Sequence, residues 1–113
     1  MLQEPELTAL LKEITRRIRE ACDPEQIILF GSYARGDAGP DSDLDVLVIE
    51  DNVASTRQAS THLRRNLRGL PLAIDVIVAT PQIISRYGRS IGMIYRPAFD
   101  EGKVLYERES NSA

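Results

Sequence analysis

Apolar residues recur every three or four positions between Glu6 and Ala21, at Leu7, Leu10, Leu11, Ile14, Ile18 and Ala21. That spacing predicts an amphipathic helix with one buried stripe. Arg16, Arg17, Arg19 and Glu20 fall mainly outside the stripe, on a face read as solvated. Asp23-Pro24 ends the helix, because proline disfavours helical geometry before it and cannot extend the hydrogen-bond ladder. The pattern then changes from a stripe to a run. Gln26–Phe30 is apolar and of strand length. Ser32–Arg35 can begin a helical turn with Ser32 as its N-cap. The residues that follow, Gly36 to Ser42, form a loop by composition. Asp43–Ile49 is a second strand, and alternation sends Leu44, Val46 and Val48 into a core.

Glu50-Asp51-Asn52 is a turn, and Ala54–Arg68 is the next helix, with Ala59, Leu63, Leu67 and Leu70 at core-facing spacing. Gly69-Leu70-Pro71 ends it. A third strand runs over Leu72–Ala79, with Ile74, Val76 and Val78 on one face and Asp75 on the other. Thr80-Pro81 suits an N-cap and first helical position, starting a helix to about Arg89. Ser90–Tyr95 fits no single class. Pro97–Glu101 suits a short helical turn stopped by Gly102, and Val104-Leu105-Tyr106 an edge strand. Residues 107–113 read as a frayed polar tail. The sum is a single domain over 1–113, of α/β class. It has a small mixed sheet of three or four strands, helices mainly on one face, and the acidic side chains on an exposed face.

Composition narrows the picture. The chain has 113 residues, enough for a modest core. It is 42% hydrophobic and 27% charged, ordinary for a soluble globule, and with a single cysteine a cytoplasmic location fits. No apolar stretch is long enough to span a membrane, and no secretory leader pattern precedes the first helix. Cys22 is the only cysteine, so no internal disulfide forms, and it reads as a small residue on a helix face. A net charge of −3 argues against bulk-charge binding of nucleic acid. His62 is the only histidine and reads as a surface residue, which argues against a histidine-rich zinc site.

The candidate chemistry lies between residues 31 and 75. On a strand, Asp43 and Asp45 share a face, roughly 6–7 Å apart along the backbone. Two such carboxylates repel and resist burial, and a hard cation relieves both problems. Taken alone, Asp-x-Asp also serves merely to open a strand after a turn. Gly31-Ser32 closes the preceding strand. Glycine lets the backbone approach a phosphate, and the amides of a helix start attract anions, with the Ser32 hydroxyl as a further donor. Arg35 suits either of two tasks: neutralising a phosphate oxygen, or bridging to Asp37 or Asp41 to shape the loop. Asp37 and Asp41 themselves read as turn residues. A lone aspartate in an apolar strand needs a reason. Asp75 acquires one if its strand lies beside the second, where it can join Asp43 and Asp45. The helix carrying Arg57, Arg64, Arg65 and Arg68 presents either a solvated basic face or a dock for an acidic partner.

Gly31-Ser32-x-x-Arg35-Gly36 followed by Ser42-Asp43-x-Asp45 resembles the signature of the minimal nucleotidyltransferases. These belong to the superfamily built on the DNA polymerase β-type palm. The resemblance covers most of the chain, with Asp75 at the place of the expected third acidic residue. It implies nucleotidyl transfer with two Mg²⁺ ions held by Asp43, Asp45 and Asp75, and a triphosphate gripped by Gly31 and Ser32. It further implies a HEPN-family toxin as partner, silenced by AMP carried from ATP to a hydroxyl, a tyrosine being the best candidate. Two other readings stay open: an antitoxin acting by binding and occlusion alone, and a transferase acting on a small molecule. Arg57-x-x-x-x-His62 superficially matches the ribonuclease motif of the HEPN proteins themselves. The alternation of strands and helices excludes that helical-bundle fold.

Overall fold

Parallel strands need a long crossover, and the apolar stripe between residues 54 and 70 supplies one. The computed structural model describes residues 4–87 and 100–109. Its elements are α1 (Glu4–Ala21), β1 (Gln26–Phe30), α2 (Ser32–Arg35), β2 (Leu44–Ile49), α3 (Thr56–Asn66), β3 (Ile74–Ala79), α4 (Pro81–Tyr87) and β4 (Lys103–Glu107). Among the described residues the sheet is mixed and four-stranded, in the order β3-β2-β1-β4. β1 runs antiparallel to β2 and β4, while β2 and β3 are parallel across the α3 crossover. The α/β class and the small mixed sheet are therefore as expected, with β4 at one edge. β4 pairs irregularly with β1, the register shifting between Ile27 and Ile28.

One face of the sheet meets α1 and α3. Leu10, Ile14 and Ile18 from α1, Leu63 from α3 and Leu67 just after it pack with Ile27, Leu29, Leu44, Val46, Val48, Val76 and Val78. Leu44 is fully buried beneath the acidic positions on either side of it, so Leu44→Ala would cost about 2–5 kcal/mol and loosen both. Arg19 lies over the Tyr106 ring at 4.3 Å, tying α1 to β4.

The opposite face is less exposed than the alternation suggested. Ile28, Phe30, Leu47, Ile49 and Ala79 are buried there, with Ile83 and Ile84 of α4 packed against them. The carboxylates of Asp45 and Asp75 share this face, at the ends of β2 and β3 where the strands begin. α4, following the far end of β3, covers the other part.

Several boundaries move. α1 begins at Glu4, and Glu4 and Glu6 place negative charge in its first turn, where the helix dipole favours it. α3 is shorter than expected because Ser55 caps it, its Oγ accepting from the Gln58 amide at 3.2 Å. β2 starts at Leu44 rather than Asp43, and β3 at Ile74 rather than Leu72. Residues 107 and 108 are tied down rather than frayed. Glu107 lies in β4, the Arg108 amide donates to the Glu25 carbonyl at 2.9 Å, and its guanidinium pairs with Asp23 and Asp51, each at 3.3 Å. Arg17 is not simply solvated: it donates to the carbonyls of Asn66 (3.3 Å) and Arg68 (2.9 Å), closing the end of α3. Residues Ser90–Tyr95, most of Pro97–Glu101, the helix beyond Tyr87 and residues 110–113 lie outside the described residues. No helix among the described residues is long and apolar enough to cross a membrane.

Candidate active site

Three strand ends converge where β1 stops and β2 and β3 begin. Phe30 pairs with Asp45 across β1 and β2, and Asp45 pairs with Asp75 across β2 and β3. The parallel register thus sets two carboxylates side by side on one face, with exposed Asp43 two residues ahead of Asp45. Asp45 is half-buried. Its carboxyl is pushed above the ordinary range, first by burial, then by the charges of Asp75 and Asp43, with Arg35 opposing. All three aspartates expected in the site are therefore brought together, along with the arginine.

Gly31 is the hinge of the constellation. It has φ +74°, a left-handed conformation that side-chain-bearing residues rarely adopt. A β-carbon there would overlap Asp45 Oδ2. The expected N-cap shifts by one residue. Gly31 is the cap of α2, with no side-chain capping bond, and Ser32 is the first helical residue. The hydroxyl of Ser32 is consequently not spent on capping. Backbone bonding in the turn starts at Ala34, whose amide donates to the Gly31 carbonyl at 3.1 Å. Tyr33 and Ala34 are buried and anchor the turn in the core.

Arg35 bridges to Asp37 at 3.1 Å, one of the two loop acids expected for it, and also to Glu101 at 3.2 Å. Its charge still reaches Asp45. Asp41 is exposed and plays no part in this bracing. Ser42 locks the loop: its Oγ accepts from the Gly39 amide at 2.8 Å, and its own amide donates to the Gly39 carbonyl at 3.2 Å.

The sequence reading missed Arg64. Its Nη2 donates to Asp75 Oδ1 at 2.7 Å and to the Val76 carbonyl at 3.2 Å. It therefore belongs to the site rather than to a free basic face. Glu101 was missed too, because it sits 66 residues from Arg35 in sequence. His62 and Arg57 are exposed, as expected of His62. Cys22 is half-buried, and burial, reinforced by Glu50, pushes its thiol up to about 12, so it is not a reactive thiol at neutral pH.

The donor set suits a hard divalent cation. It is all oxygen, part of it is half-buried, and burial together with the neighbouring charges raises the proton affinity of Asp45. Among the described residues no group of three His, Cys, Asp or Glu side chains is arranged to hold one metal ion. Mg²⁺ does not require three, since it takes one or two carboxylates and completes its shell with phosphate oxygens and water.

Comparison with known proteins agrees with this geometry. A candidate protein adenylyltransferase of Methanocaldococcus jannaschii is 34% identical over 83 residues, 73% of this chain and 78% of the relative. A toxin–antitoxin structure with AMP-PNP superposes with a TM-score of 0.67 at 22% identity, covering 88% of this chain and 74% of the other. A tri-AMPylated Shewanella oneidensis HEPN toxin in complex with an MNT antitoxin gives 0.62 at 20% identity, covering 89% and 72%. At such identities these two structures establish the shared fold. The nucleotidyltransferase domain model matches residues 10–104, a span that holds Gly31, Ser32, Arg35, Asp43, Asp45 and Asp75 alike, and the chain belongs to the nucleotidyltransferase domain family.

Proposed function

We propose that this chain is an antitoxin that transfers AMP from ATP to a hydroxyl, best a tyrosine hydroxyl, of a HEPN-type partner protein. The observation that carries the reading is the parallel register of Asp45 and Asp75 beside Gly31, whose missing side chain leaves room for the Asp45 carboxylate. A binding module has no need to crowd carboxylates whose charges oppose one another. The name of the Methanocaldococcus relative supports adenylyl transfer to protein. The AMPylated toxin in the Shewanella complex supports the class of partner.

Asp43 and Asp45, joined by Asp75, would hold the divalent cation, with two ions the family's arrangement. When bound, the cation neutralises the triphosphate and makes the acceptor hydroxyl more acidic. The chain's own residues do the rest. Gly31 lets the backbone approach the phosphates, and the Ser32 hydroxyl donates to a phosphate oxygen. The acceptor oxygen forms a bond to the α-phosphorus while the bond to the bridging oxygen breaks. Pyrophosphate leaves with that electron pair, and Asp75 accepts the hydroxyl proton. AMP remains on the partner.

The test is intact-mass spectrometry of the co-purified partner after incubation with ATP and Mg²⁺, beside the same reaction with D45N. Additions of one or more AMP units with wild type and none with D45N are expected. A stable complex that gains no mass with any of the four nucleoside triphosphates would overturn the reading in favour of occlusion.

A further inference from the structure

Among the described residues β3 is an edge strand, and no described strand pairs the backbone groups on its outer side. α3 covers that edge. The Ser60 hydroxyl donates to the Val76 carbonyl at 2.5 Å, and Arg64 Nη2 donates to the same oxygen at 3.2 Å. Val76 is buried on the α3 side of the sheet, and Asp75, next to it, faces the other way. Arg64 thus reaches round the edge of β3 to take Asp75 Oδ1 at 2.7 Å. One guanidinium nitrogen grips both the strand and the carboxylate.

We propose that Arg64 is the built-in counter-ion of Asp75, a positioning residue that occupies the carboxylate until a divalent cation displaces it. The proposal rests on the cation-dependent reading above. An oxygen bonded to a guanidinium is a poorer cation ligand, and the fixed positive charge repels an arriving ion. The exchange also couples the site to α3, because the group released from Asp75 stays tethered to the helix that seals the edge of the sheet.

The experiment measures Mn²⁺ binding to the whole chain without nucleotide, from the electron paramagnetic resonance signal of free Mn²⁺. The two side chains are about half exposed, 51% for Arg64 and 46% for Asp75, so the pair has the modest strength of an exposed one. R64Q should therefore bind Mn²⁺ roughly three-fold more tightly than wild type, and R64Q should change nothing in a D75N background. Arginine side-chain NMR of the wild type supplies a readout that does not depend on R64Q folding: the Arg64 Nε–H signal should shift on Mg²⁺ titration, and not in D75N. Wild-type Mn²⁺ binding that D45N abolishes but R64Q leaves unchanged or weakens would overturn the role of Arg64 alone. An Arg64 signal that stays fixed at saturating Mg²⁺ would do the same. No Mn²⁺ bound by the wild type would overturn this proposal and the cation-dependent reading together.

Discussion

Gly31 and Asp45 fit together only because Gly31 has no side chain: a β-carbon on Gly31 would overlap Asp45 Oδ2 and stand 3.2 Å from its Cγ. Asp45 pairs with Phe30, the residue just before Gly31, across adjacent antiparallel strands, so neither Gly31 nor Asp45 can retreat without disturbing the ladder. The backbone at Gly31 is also left-handed, at φ +74°. Gly31→Ala meets both obstacles. The conformation alone should cost about 1–3 kcal/mol of stability. The displaced Asp45 carboxylate should lower AMP transfer about 100-fold, as misplacement of reacting groups by an ångström does. A thermal melt beside a transfer assay checks this, and full activity in a folded G31A protein would show that the overlap is relieved without cost.

Arg17 makes a purely structural prediction. Its guanidinium closes α3 by donating to the Asn66 and Arg68 carbonyls, and it pairs with Glu13 at 2.7 Å on its own helix. Arg17→Met keeps much of the apolar stem and removes these donors. The loss should be about 1 kcal/mol, the net value of such hydrogen bonds. Urea denaturation should show a lower midpoint with an unchanged slope. An unchanged midpoint would mean that water replaces the guanidinium at the helix end.

The local pattern carried most of the fold. The stripe from Leu7 to Ala21, the apolar run Gln26–Phe30 and the alternation about Asp75 each announce an element from neighbours in sequence. The Gly31-Ser32 and Asp43-x-Asp45 spacing likewise brings the central site residues to notice. What stayed hidden depends on chain partners far apart. The burial of Leu47 and Ile49 on the carboxylate face follows from where α4 lands. Arg64 read as one of several basic residues on a helix, because only the docking of α3 on the edge of β3 brings it to Asp75. The two-residue retreat of β3 from Leu72 to Ile74 reflects which residues find a partner in β2, not which have strand propensity.

Arg35 separates two tasks that sequence left open. Its bridges to Asp37 and Glu101 brace the loop, yet its charge also reaches Asp45, the carboxylate proposed to hold the cation. If bracing were its whole role, D37N/E101Q would reproduce Arg35→Ala. The expected result is otherwise: R35A should raise the KM for ATP about ten-fold, the value of a charge-assisted hydrogen bond, and the double variant should raise it less. Steady-state transfer kinetics decide the matter, and equal effects would reduce Arg35 to a loop brace.

Asp45 makes a prediction about pH whose sign is set by its surroundings. Burial raises its proton affinity in the folded chain, with Asp75 and Asp43 adding to the effect. A carboxyl that holds its proton more tightly when folded makes no difference where both states are protonated, below the unfolded value of about 4. Its cost to stability grows as pH rises from there through the folded value, and is complete above it. Asp45→Asn removes that cost. In cation-free buffer at pH 7 the variant should melt above the wild type, and the difference should shrink as pH falls toward 4. Mg²⁺ should raise the melting temperature of the wild type by mass action and leave D45N nearly unmoved. Matched melts at the two pH values, with and without Mg²⁺, test both halves. A D45N protein that melts below wild type at pH 7 without cation would mean that the ionised carboxylate is stabilised by its neighbours. The site would then lack the stored repulsion that a cation is expected to relieve.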